Sequence, residues 1–231
     1  MKLLVKDAAR LLGVSEKTIY RWIKQGSIPA YRLQEQYRFN RAELLEWATS
    51  RRISLSPEIF REEESEAGSL PSLAEALRAG GIHYRIGGDD KASALRHVVE
   101  MLRLPPEVDR DFLYEVLLAR EALGSTAIGD GIAIPHVRNP VVLHLGQPLV
   151  TLCFLERPVP FGALDGRPVA ALFTLISPTV RAHLHLLARL SRALRDDGLQ
   201  RAVTAQAGRE ELLAAVERCE RGMAAAGAPA P

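Results

Sequence analysis

AREALGSTAIGDGIAIPH, residues 119–136, is the stretch from which the fold and the chemistry of this chain are read. A helical pattern ends before Gly124, and an apolar run follows from about Ala127. Ile128, Ile132 and Ile134 are its apolar anchors, and Gly129 and Gly131 let the backbone come close to whatever sits there. The run closes on Pro135-His136. A histidine where an inward-facing strand breaks open is a candidate nucleophile. Chemistry on phosphorus would need a neutral imidazole, donors for the transferred oxygens and a cation to offset charge. Ser125 and Thr126 supply donors, and Arg120, on the last helical turn, a fixed guanidinium.

Outward from that stretch, helices and strands interleave. A short helix carries Leu73, Ala76 and Leu77, and a strand follows at Ile82–Ile86. Asp89 or Asp90 caps a helix with Ala94, Val98, Met101 and Leu102 on one side. Pro105-Pro106 stops it and starts another, in which Phe112, Val116, Leu117 and Leu123 recur. Strands are expected near Ala127–His136, Pro148–Leu155 and Val169–Ile176, then helices near Thr179–Arg195 and Arg209–Cys219. The expected class is α/β, a mixed sheet covered by helices.

On the motif around His136, the chain from about Leu70 to Arg221 resembles a IIA domain of the phosphoenolpyruvate-dependent phosphotransferase system, in the fructose/mannitol/nitrogen-regulatory class and nearest the nitrogen-regulatory proteins. The resemblance implies that His136 takes a phosphoryl group from a phosphorylated histidine on an HPr-like carrier. It also implies that Arg120, in REALGST, and His183, in HLHLL, support that group. Arg138, in the loop after His136, is a candidate for carrier or phosphate contact.

Helical periodicity checks the second histidine independently. His183 and His185 are two apart and cannot share a helix face. His183 lies on the stripe of Leu187, Leu190 and Leu194, so it should point into the domain. His185 goes with Arg189 and Arg192, so it should point to water. His83, His97 and His144 read as surface or packing residues. No His-x-x-x-His or Cys-x-x-Cys spacing suggests a metal, and no cofactor is expected. Cys153 and Cys219 read as inert.

The first fifty residues form a different unit. Val5, Ala8, Ala9 and Leu12 recur at helical spacing and Gly13 closes that helix. Ser15 caps a second helix, Glu16 to Gln25, with Ile19, Trp22 and Ile23 inward. Its outward residues, Lys17, Thr18, Tyr20, Arg21 and Lys24, can bond to phosphates and base edges in a major groove. Two short apolar-aromatic runs around Gln34-Glu35-Gln36 predict a hairpin, and Asn40 caps a third helix with Leu44, Leu45 and Trp47 inward. The run from Leu3 to Ala48 resembles the excisionase-type winged helix-turn-helix related to the MerR regulators. That implies DNA reading by helix two and backbone contacts from Arg32 and Arg38 on the wing. The competing reading is a protein-binding module with a solvated basic face. One such module binds DNA weakly, so tight operator binding calls for a homodimer or a partner protein.

Charge separates the units. Residues 1–52 hold eleven Lys and Arg against five Asp and Glu, a net +6, while the rest of the 231 residues is −4. The expected division is a winged helix-turn-helix at 1–52, an acidic linker at 53–69 with room for a short helix around Ile59-Phe60, a IIA-type domain at 70–222, and a flexible tail at 223–231. The longest charge-free stretch, Pro140 to Leu155, is shorter than the roughly 20 residues of a membrane span. No signal-peptide block follows Met1, so the expected location is cytoplasmic. Two distant cysteines exclude a disulfide framework.

Three functions compete. The fusion favours a phosphohistidine-carrying regulator, regulatory rather than metabolic, whose phosphorylation biases DNA binding and whose His136 surface docks the carrier and further regulatory targets. A phosphocarrier serving a sugar permease is the alternative, set back by the lack of any permease segment. A DNA-binding protein with a dead IIA fold ranks last, because His136, Arg120 and His183 are all present.

Overall fold

Strands β7 (Leu149–Val159) and β8 (Val169–Ile176) are apolar along most of their length, so both faces of their sheet need covering. The computed structural model describes residues 2–33, 36–51, 53, 70–137 and 146–227. In it these two strands pair antiparallel at the centre of a five-stranded mixed sheet. Strand β4 (Ile82–Ile86) joins β7 in parallel, β6 (Ile132–Ala133) joins β8 in parallel, and β5 (Ala127–Gly129) closes the edge antiparallel to β6. Alternate residues go to opposite cores. Leu152, Phe154, Phe173 and Leu175 pack under α4 (Leu73–Gly80), α7 (Val180–Ala193), α8 (Asp197–Thr204) and α9 (Arg209–Gly227). Cys153, Leu155, Leu172 and Ile176 pack under α5 (Lys91–Met101) and α6 (Arg110–Ala122).

Local rules set most of the ends. Ser72, Asp90, Asp109, Thr179 and Asp196 each accept the amide bond of a helix N-cap, satisfying a donor that the helix leaves open. Gly129 and Gly131 have φ of 92° and 72°, flanking Asp130 at 49°. Their freedom serves the tight β5–β6 turn rather than the approach of a ligand.

The structure departs from the sequence pattern in several places. Met101 is on the surface, and Leu95 and Val99 are buried beside Ala94 and Val98. The second helix of that pair starts at Arg110 under the Asp109 cap, not at the prolines. It buries Leu113, Tyr114 and Leu117 and exposes Phe112 and Leu123, because two adjacent apolar stripes compete and packing on α5 selects one. Helix α8 was not anticipated. Helix α9 continues to Gly227 where a flexible tail from residue 223 was expected, as the strong helix former alanine at 224–226 allows. The expected linker at 53–69 lies, from residue 54 on, outside the described residues, as do its short helix, Arg138 and His144.

The N-terminal unit has the anticipated two helices, hairpin and third helix, α1 (Val5–Leu11), α2 (Glu16–Lys24), β2 (Tyr31–Leu33), β3 (Gln36–Asn40) and α3 (Arg41–Ser50), preceded by a short strand that was not anticipated, β1 (Lys2–Leu3), paired with β3. Gly13 takes a φ of 63° after α1, and Ser15 Oγ accepts the Thr18 amide at 3.2 Å. The Trp22 and Trp47 rings meet edge to face at 5.1 Å. This unit is not isolated from the sheet domain. Its core of Leu12, Ile19, Phe39, Leu44 and Leu45 is continuous with Leu184 and Ala188 on α7, against which α3 lies.

His185, which was expected to face water, is buried instead. Helix α7 is covered by the sheet on one side, by α3 on another and by α9 on a third. A pattern drawn from its own residues cannot register the last two.

Candidate functional site

Three separate elements converge at the edge of the sheet. His136 follows β6 and bridges to Leu175 of β8, whose amide donates to the Pro135 carbonyl at 2.9 Å. Arg120 comes from the last turn of α6, and its Nη1 donates to the Gly124 carbonyl at 2.9 Å. His183 comes from the first turn of α7, set by the Thr179 cap. The sequence-predicted trio is thus brought together. The His136 and His183 rings are 5.3 Å apart, centre to centre, and tilted by 40°.

The His136 ring is oriented from within its own strand end. Nδ1 lies 2.7 Å from the Ile134 carbonyl, which can only accept, so Nδ1 carries the proton and Nε2 faces the site. A neutral ring in this orientation offers its lone pair at Nε2. Burial holds His183 down to about pKa 3, with repulsion from His136 and Arg120 adding to the shift and Glu46 opposing it. His183 is therefore neutral at ordinary pH.

Ser125 and Thr126 line the site but have spent their hydroxyl protons elsewhere. Ser125 Oγ donates to the Phe161 carbonyl at 2.6 Å and accepts the Ala127 amide at 3.1 Å. Thr126 donates its amide and its hydroxyl to Glu121 Oε2, at 2.8 and 2.6 Å. In this structure both hydroxyls donate to Phe161 and Glu121 rather than into the site, unlike the donor role read from the sequence. Glu121, which the sequence reading passed over, is the anchor. It is buried, and its other oxygen meets Lys91 Nζ at 3.1 Å.

The residue missed altogether is Glu46. It sits on α3 of the N-terminal unit and is only 7% exposed. Its Oε2 pairs with Arg120 Nη2 at 3.0 Å and its Oε1 lies 3.2 Å from His136 Nε2. What remains of the cavity between Glu46, Thr49, Arg120, Thr126 and His136 is about 10 Å³, room for one water at most. Among the described residues, Thr49 Oγ1, Arg120 Nε and both ring nitrogens of His183 lack a hydrogen-bond partner. Polar atoms buried without partners mark a place built for a polar guest. One oxygen of Glu46 and one nitrogen each of His136 and His183 also lie within 4.8 Å of one another, a donor set compatible with a divalent metal. The Arg120 guanidinium on the same carboxylate opposes a second cation there.

On the N-terminal unit, Lys17, Tyr20, Arg21 and Lys24 are exposed along α2. Thr18 is half-buried, with its hydroxyl 3.0 Å from that of Ser15. Arg38 is half-buried and donates to Gln36 Oε1 at 2.8 Å, less outward than the wing pattern implied. Arg32 is on β2 opposite Tyr37, and its side chain lies outside the described residues.

Over residues 75–219 the chain matches the family described as phosphoenolpyruvate-dependent sugar phosphotransferase system, EIIA 2, and over residues 3–52 it matches a helix-turn-helix domain. It is 39% identical over 142 residues to a nitrogen regulatory protein of Pseudomonas aeruginosa, covering 58% of this chain and 90% of that one. It is 35% identical over 148 residues to a nitrogen regulatory protein of Escherichia coli, covering 61% and 86%. The crystal structure of nitrogen regulatory protein IIA-Ntr from Neisseria meningitidis superposes with a TM-score of 0.55 at 26% identity, over 62% of this chain and 98% of that one. The chain belongs to the EIIA 2 family of the phosphoenolpyruvate-dependent sugar phosphotransferase system, with a helix-turn-helix domain fused ahead of it.

Proposed function

We propose that His136 accepts a phosphoryl group from a phosphorylated HPr-like carrier and that the helix-turn-helix domain makes the protein a DNA-binding regulator of the nitrogen-regulatory type, acting in the cytoplasm. One observation carries the reading. The Arg120 guanidinium and His136 Nε2 meet the two oxygens of a single carboxylate, the arrangement that a phosphoryl group on Nε2 would also require.

In the transfer, the Nε2 lone pair bonds to phosphorus as the carrier's P–N bond breaks. The carrier imidazole, protonated on its other nitrogen, leaves with that electron pair as a neutral ring, so no proton is exchanged with water. The Ile134 carbonyl keeps the His136 proton on Nδ1 throughout, Arg120 offsets the charge of the oxygens, and His183, neutral beside the ring, adds no charge of its own. Lys17, Tyr20, Arg21 and Lys24 are the DNA contacts we assign to α2, with Arg32 and Arg38 on the wing.

Incubation with phosphoenolpyruvate, enzyme I and the carrier tests the acceptor directly. Label should appear on the wild type and be lost in His136→Ala. An unlabelled wild type would overturn the reading.

A further inference from the structure

We propose that Glu46 is an internal occupant of the phosphoryl site, so that docking of helix α3 and phosphorylation of His136 exclude each other. This rests on His136 being the acceptor. The carboxylate takes the place of the incoming group on both counts, with one oxygen on Arg120 and the other against Nε2.

Three physical effects act together. The first is space. With Glu46 in place the cavity holds about 10 Å³, and a phosphoryl group with its three terminal oxygens does not enter. The second is the nucleophile. Nδ1 is committed to Ile134, so Nε2 is the nitrogen left to attack, and a carboxylate oxygen stands 3.2 Å in front of it. Phosphorus cannot approach the lone pair along that line. The third is charge. A phosphoryl group adds a charge of roughly −1.5 to −2, which beside a buried carboxylate is repulsive, and Arg120 cannot satisfy both anions. Phosphorylation therefore expels Glu46, and with it α3, from the surface of α7.

The docked state has reasons to form. Leu184 and Ala188 complete the apolar core of the N-terminal unit. Arg120 gives the Glu46 carboxylate a charged partner in a buried setting. The exposed face of α2 is not consumed by the contact, since Lys17, Tyr20, Arg21 and Lys24 remain exposed with α3 docked. Phosphorylation thus controls how the DNA-reading unit is held against the IIA domain rather than whether α2 is covered.

The test is single-turnover transfer from phosphorylated carrier to full-length wild type, Glu46→Gln and Glu46→Ala, with chelator present so that no metal occupies the site. Circular dichroism checks that the variants fold. Both variants should be labelled faster, by about ten- to a hundredfold, the effect of removing a charge-assisted contact from the resting state. A second measurement needs no variant. Amide hydrogen exchange over residues 44–50 should rise on stoichiometric phosphorylation of the wild type. Equal labelling rates with unchanged exchange would overturn the occlusion while leaving His136 as the acceptor. Absence of label in all three proteins would overturn the acceptor reading, and this one with it.

Discussion

The rings of His136 and His183 lie 5.3 Å apart, yet among the described residues neither nitrogen of His183 has a hydrogen-bond partner. A buried, unpartnered imidazole beside Arg120 and a second histidine resists protonation, which is why its pKa falls from 6.5 to about 3. The consequence is a pH-dependent stability. Between about pH 6.5 and 3 the unfolded chain binds a proton at His183 that the native protein does not. The stabilisation is complete above that window and is lost as pH falls through it, with a slope approaching about 1.4 kcal/mol per pH unit. Urea unfolding of wild type and His183→Gln at pH 4, 5 and 6 measures it, and the variant should show the flatter curve. Parallel curves would contradict the assignment of a neutral, buried ring.

Glu121 ties the loop before β5 to α6 through both donors of Thr126 and reaches Lys91 with its other oxygen. Glu121→Ala leaves a buried amide and a buried hydroxyl without an acceptor. Each orphaned group costs about 1–3 kcal/mol, so a loss of about 2–6 kcal/mol in unfolding free energy is expected. Glu121→Gln keeps the side-chain length and one acceptor oxygen, and should lose less. Chemical denaturation of the three proteins checks the order.

Ser125→Ala separates a loop-shaping role from a phosphoryl-binding one. Its hydroxyl proton already goes to the Phe161 carbonyl. The variant should lose about 1 kcal/mol of stability, the ordinary worth of one such bond, while the labelling rate at His136 stays within about threefold of wild type. A rate loss of about a hundredfold with unchanged stability would instead mean that the hydroxyl turns to the phosphoryl group during transfer.

What could be read from the sequence was what local chemistry decides. Ser15, Gly13 and the Asp89-Asp90 pair, of which Asp90 is the cap, announce helix ends through their own side chains or their own φ. His136 and Arg120 are sixteen residues apart in one helix–turn–strand unit, so their meeting follows from a motif. Glu46 offered no such signal. On α3 it reads as a surface acid, and only packing against α7, far along the chain, turns it inward. His185 was misread on a helix against which α3 and α9 also pack, contacts that the pattern of its own residues does not register. Phe112 failed differently. It and Leu113 head two equally apolar stripes, and the choice between them belongs to the partner helix.

The basic face of α2 yields the last prediction, which separates a DNA reader from a solvated surface. Arg21 and Lys24 are exposed one turn apart near the C-terminal end of α2, and neither supports the core of the unit, which Ile19 and Trp22 serve. If they neutralise phosphates, each releases condensed counterions, and the logarithm of affinity falls with the logarithm of salt by about 0.9 per contact. Arg21→Ala and Lys24→Ala should each weaken binding to a mixed-sequence DNA duplex and flatten the salt slope by about one. The double variant should flatten it by about two, because contacts to separate phosphates act independently. Fluorescence anisotropy between 50 and about 200 mM salt resolves that difference. Binding that is lost without a change in slope would mean that the substitutions disturb the unit's structure. Binding unaffected by either would assign α2 to a protein partner.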